Sequence, residues 1–147
     1  MELDVMLCDH AQVSGEKLFI SGANIDRMVF PAGSPAPYVV NLSAAGLVSV
    51  PWAATNAEHT LAFQMVTEDG QNPPLLGEEK PGENVIGGQM EFNLGRPPQL
   101  AAGESQNVPF VFNFAGIPLM TVGRYVLVFT LDGVEARRLS FAVEASG

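Results

Sequence analysis

The sequence predicts an all-β fold: a two-sheet antiparallel β-sandwich, Ig-like or jelly-roll-like, of about eight strands with long Pro/Gly loops. Three observations predict it. Apolar residues alternate along most segments, and no long stretch repeats them at the three- and four-residue spacing of a helix. Turn signals recur about every ten to fifteen residues. The 147 residues include 15 Gly and 11 Pro, a composition of many turns and short elements.

The first strand runs from Glu2 to Cys8, with Leu3, Val5 and Leu7 on one face. A turn through Val13-Ser14-Gly15-Glu16-Lys17 leads to Leu18-Phe19-Ile20, which reads as a hairpin. Ser21 to Asn24 breaks this strand, and Ile25 to Phe30 resumes apolar character. The three prolines between Pro31 and Pro37 deny the backbone its donors and make a loop. Tyr38 to Val50 follows as a strand with Val40, Leu42 and Ala44 on one face, closed by Pro51-Trp52. A short helical turn fits Trp52 to Ala57.

Thr60 to Val66 places Leu61, Phe63 and Met65 together, and Asp69-Gly70 then supplies a tight turn. Asn72 to Gly88 reads as a long loop, with a short edge strand at Leu75-Leu76. Gln89 to Leu94 turns Met90, Phe92 and Leu94 inward, and Gly95 to Glu104 is a second Pro/Gly loop. Ser105 to Phe114 alternates Val108, Phe110, Phe112 and Phe114, and Pro109 marks it as an edge strand or an irregular start. Tyr125 to Leu131, Asp132-Gly133, and Arg137 to Val143 form the final hairpin. Phe19, Phe63, Phe92, Phe110, Phe112, Phe114, Phe129 and Phe141 are expected in the core. One domain, residues 1–147, accounts for the whole pattern, since no linker or repeat divides it.

Charge narrows the function. Sixteen acidic against seven basic residues give a formal net charge of −9. That sign opposes phosphate backbones and anionic membranes, so neither nucleic acid nor membrane is expected as a partner. Charged residues make up only 16%, below the usual quarter, which leaves neutral surface for another chain to cover. The single cysteine, Cys8, permits no intrachain disulfide and suits a reducing compartment. The opening residues lack the basic and apolar regions of a signal peptide, and no apolar run is long enough to span a bilayer. A cytoplasmic protein is expected, or a virion protein if the chain is phage-encoded.

Two stretches resemble a known family. The run from Val5 to Arg27 holds an apolar strand, Asp9-x-Ala11-Gln12, a hairpin with Lys17-Leu18, Gly22, and the pair Asp26-Arg27. Val50-Pro51-Trp52, Asn56-x-Glu58-His59 and Glu68-Asp69-Gly70 follow. Together they resemble the domain of unknown function 6941, a family of small bacterial β-sandwich proteins. The likeness lies mainly in the first half. The stretch Gly22-Ala23-Asn24-Ile25 departs from the family pattern, which has more glycine and a tryptophan there. The resemblance implies a β-sandwich and no particular activity.

Candidate chemistry is sparse. Cys8 and His10 share a strand face, and both residue types ligate zinc, but the chain has one other histidine and no other cysteine. Carboxylates such as Asp26 would have to complete the set. Cys8 with His59 lacks any surrounding nucleophile motif. Glu78, Glu79, Glu83 and Asp69 lie on loops, without the spacing of a calcium-binding loop. Arg137-Arg138, the one basic pair, adjoins no glycine-rich phosphate cradle. Catalytic, cofactor and metal residues are therefore expected to be none. Tyr38 and Trp52, aromatics at strand margins, and His59 at a loop end are the candidate ligand or partner contacts.

The expectation is a non-enzymatic structural or protein-interaction module without cofactors. It would bind itself or another protein, as a homo-oligomer or as a component of a larger assembly such as a phage particle. The first alternative is a small-ligand or carbohydrate-binding sandwich built on Trp52 and Tyr38. The second is a metal-dependent enzyme around Cys8, His10 and His59.

Overall fold

The computed structural model describes residues 1–145. Nine strands form two sheets: β1 (Glu2–Ser14), β2 (Lys17–Ala23), β3 (Arg27–Phe30), β4 (Tyr38–Pro51), β5 (Glu58–Thr67), β6 (Ile86–Asn93), β7 (Ser105–Leu119), β8 (Gly123–Leu131) and β9 (Val134–Ala145). One sheet has the order β2-β1-β4-β7, the other β3-β9-β8-β5-β6. A short 3₁₀ turn, Trp52–Ala54, follows β4 where a helical turn was expected. The antiparallel expectation fails at one place, because β3 lies parallel to β9. After β2 the chain crosses from one sheet to the other, and it reaches β9 in the same direction as β9 itself runs.

The two inner faces meet in one core. Leu3, Val5 and Leu7 of β1 oppose the inward residues of β4 and β7, and all pack against Leu61, Phe63, Tyr125, Leu127, Phe129 and Phe141 of the second sheet. Phe63 lies at the centre of the aromatic packing, 4.8 Å from Phe112, 5.8 Å from Phe114 and 6.0 Å from Phe129 between ring centroids. Tyr125 is buried, and its hydroxyl donates to the carbonyl of Thr121.

Phe19 corrects an expectation, being 51% exposed. The β1–β2 hairpin continues beyond the core, and there Leu18 and Ile20 are the residues that pack instead. They join Val111 against Cys8, Ala11 and Ala45 in a second, small cluster. This cluster lies on the outer face of the β2-β1-β4-β7 sheet, because Ala45 and Cys8 alternate with the core residues Ala44 and Leu7. The long loop after β5 is tied down by one bridge, Leu75 to Leu119, near the expected Leu75-Leu76 edge strand. The strand after it starts at Ile86, earlier than Gln89.

Candidate functional site

The three candidate contact residues are set by β4 and β5. Tyr38 starts the 14-residue β4 and Trp52 follows its end, so almost the whole extended strand separates the two aromatics. At about 3.3 Å per residue they occupy opposite ends of the sandwich. Tyr38 is half-buried, stands edge-on to Phe30 at 5.3 Å, and donates its hydroxyl to the Ser34 carbonyl. Tyr38 and Trp52 therefore form no shared platform.

Trp52 and His59 do come together. His59 is the first inward residue of β5 and is 8% exposed. Its Nε2 lies 2.7 Å from the Ala54 carbonyl, in the turn that Trp52 opens, and its Nδ1 lies 2.7 Å from Asp132 Oδ2. Both partners are acceptors, so both ring nitrogens must donate, which is the cationic imidazolium. The carbonyl of Ala54 and the carboxylate of Asp132 hold the His59 pKa above its ordinary value, against the opposing effect of burial. Asp132 Oδ1 accepts the Thr60 amide at 2.9 Å, which with His59 holds its own pKa low. Asp132 sits at the β8–β9 turn with φ 51°. The pair thus pins that turn to β5.

Arg96 completes this end. Its guanidinium stacks on the Trp52 ring, 3.6 Å from the ring centroid. It also donates to Thr55 Oγ1 at 2.8 Å and to the Trp52 carbonyl at 3.0 Å. One indole face is therefore covered by a cation held in three ways. His59 likewise has both nitrogens committed to structural partners. The cluster is a set of satisfied hydrogen bonds that pins loops, and no reactive group in it is left free.

The other candidates stay apart. Cys8 is fully buried, its thiol directed at the Ser43 carbonyl, and burial pushes its pKa up. His10, two residues on, is exposed. Among the described residues, no three of His, Cys, Asp and Glu gather as a metal ion would need. Glu78 turns its carboxylate into its own loop, accepting the amides of Leu75, Gly82 and Asn84, which lowers its pKa. Arg138 pairs with Glu135.

A second candidate lies along β6 and β7, where no sequence motif joins the residues. β7 is fifteen residues long and forms the edge of its sheet. It carries no charged side chain from Ser105 to Leu119, and neither does its neighbour β4 from Tyr38 to Pro51. In an antiparallel strand, the N–H and C=O of alternate residues face alternate sides. The carbonyl of Pro118 faces away from β4, because it accepts the amide of Leu76 at 3.1 Å. Between Val40 and Leu42 the ladder shifts by one residue, Ala115-Gly116 opposing Asn41 alone, so the facing parity flips. Residues 107, 109, 111 and 113 accordingly face the free edge. Pro109 fits this, as a proline sits in a ladder only with its nitrogen turned outward. Pro74 to Leu76 covers the far end of the edge, and on the side away from β4 Ser105 to Ala115 has no strand partner among the described residues.

β6 is the edge of the opposite sheet on the same side. Gly88 of β6 pairs with Phe63 and faces inward, and the Phe63 ring leans into the place its side chain would take. A Cβ there would come 3.0 Å from Phe63 and 3.7 Å from Phe112. A groove of about 470 Å³ results, lined by Phe63, Ile86, Gly88, Phe112, Phe114 and Ile117 among others. The sequence signals were a charge-free run and the Gly87-Gly88 pair.

The family of unknown function DUF6941 matches residues 3–144, both halves of the chain and not mainly the first. The chain belongs to this family. No curated protein matches. One solved structure is similar: the Pseudomonas fluorescens alkylpurine DNA glycosylase AlkC bound to DNA containing an abasic site analog. Identity is 13% and the TM-score 0.39, over 96% of this chain and 30% of that one.

The DUF6941 residues singled out by resemblance are architectural in this chain. Gly22 has φ 66°, and a Cβ on it would fall on the Asp9 carboxylate, so only glycine fits. Ala11 and Leu18 pack the small outer cluster. Asp26 gives its carbonyl to the Ala142 amide, and Arg27 pairs with Glu144, which seats β3 on β9. The shared residues build the first hairpin and the crossover.

Proposed function

We propose that the protein is a non-enzymatic protein-interaction module that binds another polypeptide chain along β7. One observation carries this reading: a long edge strand with outward-facing backbone groups, no charge, and, among the described residues, no cover on its outer side from Ser105 to Ala115. Natural sheets commonly guard such edges with lysines, bulges or very short strands. Here the one bulge, at Ala115-Gly116, lies at the far end of the free segment, and Pro109 removes one donor only. An edge left open in this way offers a partner ready-made main-chain hydrogen bonds. The committed hydrogen bonds of His59, Arg96 and Glu78 support the non-enzymatic half of the proposal. The same edge would serve a cytoplasmic complex, a homo-oligomer or a component of a particle such as a phage virion.

The test uses Val111→Pro, which deletes one outward donor without touching the ladder to β4. Sedimentation of the protein and affinity capture from its native host are run with both forms. Self-association, or a stoichiometric partner, that is present with the parent chain and lost with Val111→Pro supports the proposal. A monomer that captures nothing, or a partner that the variant retains, overturns it.

A further inference from the structure

We infer that the partner segment is an extended strand, apolar at alternate positions and basic between them, whose apolar row enters the groove between β6 and β7. This rests on the proposed role of the β7 edge and adds what the added strand must be.

Residues directly opposite one another in a ladder share a face. A strand paired to β7 through Val111 and Asn113 therefore turns inward the residues opposite Phe110, Phe112 and Phe114. Those side chains point toward the second sheet, where the groove stands open. The residue opposite Phe112 meets the groove between Gly88 and Phe112, floored by Phe63. An apolar side chain there removes aromatic surface from water on three sides, whereas a charged one is desolvated without a partner. Two features sit side by side: outward backbone groups on the edge, and an empty apolar socket one strand-width inward. A single β-strand engages both at once.

Charge selects the residues between. β7 and β4 carry none, but acids flank the groove at both ends. Glu104 precedes β7, and Glu78, Glu79 and Glu83 lie on the loop that ends at Val85. Lys80 and Arg96 are the basic residues in these flanks, and the whole chain stands at −9. A second acidic copy is repelled as it approaches, and a strand with lysine or arginine on its outer row is attracted.

The experiment selects a displayed library of random decapeptides against the full chain. Enriched peptides are synthesised and measured against the parent protein, Val111→Pro and Gly88→Leu. Gly88 has an ordinary extended backbone, and a Cβ there comes 3.0 Å from Phe63, so leucine crowds the groove by pressing on that ring rather than by straining the backbone; far-ultraviolet circular dichroism confirms that both variants fold. The expected result is enrichment of apolar-basic alternation, with new amide protection at Val111 and Asn113. Val111→Pro then weakens binding by about tenfold, the worth of one good hydrogen bond, and Gly88→Leu weakens it at least as much.

No enrichment, or peptides that bind Gly88→Leu as tightly as the parent, overturns the inference. Peptides sensitive to Val111→Pro but without alternation overturn it too, while leaving the proposed edge role standing. A dimer in sedimentation that Val111→Pro dissolves also keeps the edge role and replaces the basic strand with a second copy.

Discussion

The two sides of the sandwich end in different ways. On one side β9 is capped by β3, only four residues long and parallel to it. Arg27 of β3 meets Glu144 of β9 at 3.3 Å, and Asp26 accepts the Ala142 amide at 2.9 Å. On the other side β7 runs fifteen residues with no charge and a groove beneath it. Both sides belong to one fold and one core. The short, charged strand leaves little for another chain to pair with, and the long, neutral one leaves much. Fold stability does not require the second side to be open, so its openness is the more informative feature.

Four measurements break or sharpen that contrast. The largest difference is expected in amide hydrogen exchange. Val111 and Asn113, facing the free edge, should exchange faster than Ala142, capped by β3, by a factor on the order of 10³. Equal protection would mean that β7 is already covered in solution.

Phe63→Ala comes next, because Phe63 floors the groove and also joins the core. It should cost about 3–5 kcal/mol in urea denaturation. Phe112→Ala, on the open lip and half-buried, should cost less than half as much. Equal costs would mean that the lip packs as tightly as the core.

Asp132→Asn tests a pin remote from the open edge. It leaves the buried His59 Nδ1 without its charged partner and should cost about 1–3 kcal/mol. The pH dependence has a definite sign. The folded His59 pKa is raised, so its stabilisation is complete below its unfolded value of about 6.5 and fades as pH rises through the folded value. The folded Asp132 pKa is lowered, so its stabilisation is present above its unfolded value of about 4 and fades on acidification. The pin is strongest between those limits, and Asp132→Asn should flatten the decline in stability on the alkaline side. An unchanged decline would remove His59 from the account.

Arg27→Ala should have the smallest effect, at most about 0.5 kcal/mol, because both partners of this ion pair are well exposed. A larger loss would mean that the β3 side is held by its charges more than by its backbone ladder.

The fold was legible because local rules agreed. Alternation placed Leu3, Val5 and Leu7, and Phe110, Phe112 and Phe114, on the faces they occupy. Asp132-Gly133 marked its hairpin, and Pro109 correctly flagged an edge. What failed depended on the third dimension. Phe19 keeps the alternation but lies where the hairpin has left the core. The parallel seat of β3 follows from the crossover path, which no local pattern encodes.

The candidate site was less legible. Trp52 and His59 meet through the Ala54 carbonyl and Arg96, and neither connection has a spacing rule. Tyr38 was grouped with them only by residue type. The β6–β7 groove exists because two edges from different sheets face each other, so its lining is scattered from Phe63 to Ile117.

The neutral β4–β7 ladder also sets an order of assembly. It joins residues as far apart as Pro51 with Ser105 and Tyr38 with Leu119. As the chain is synthesised, β4 follows β1 well before β7 does, and the two can pair early. β7 leaves the ribosome several seconds later, at about 5–20 residues per second. Throughout that interval β4, without one charge along its length, presents a bare flank to any other nascent chain. Contacts so distant in sequence form slowly even in a complete chain. The late pairing of β7 thus leaves the unfinished chain with an uncharged, unpaired strand flank, the kind of surface that chaperones shelter.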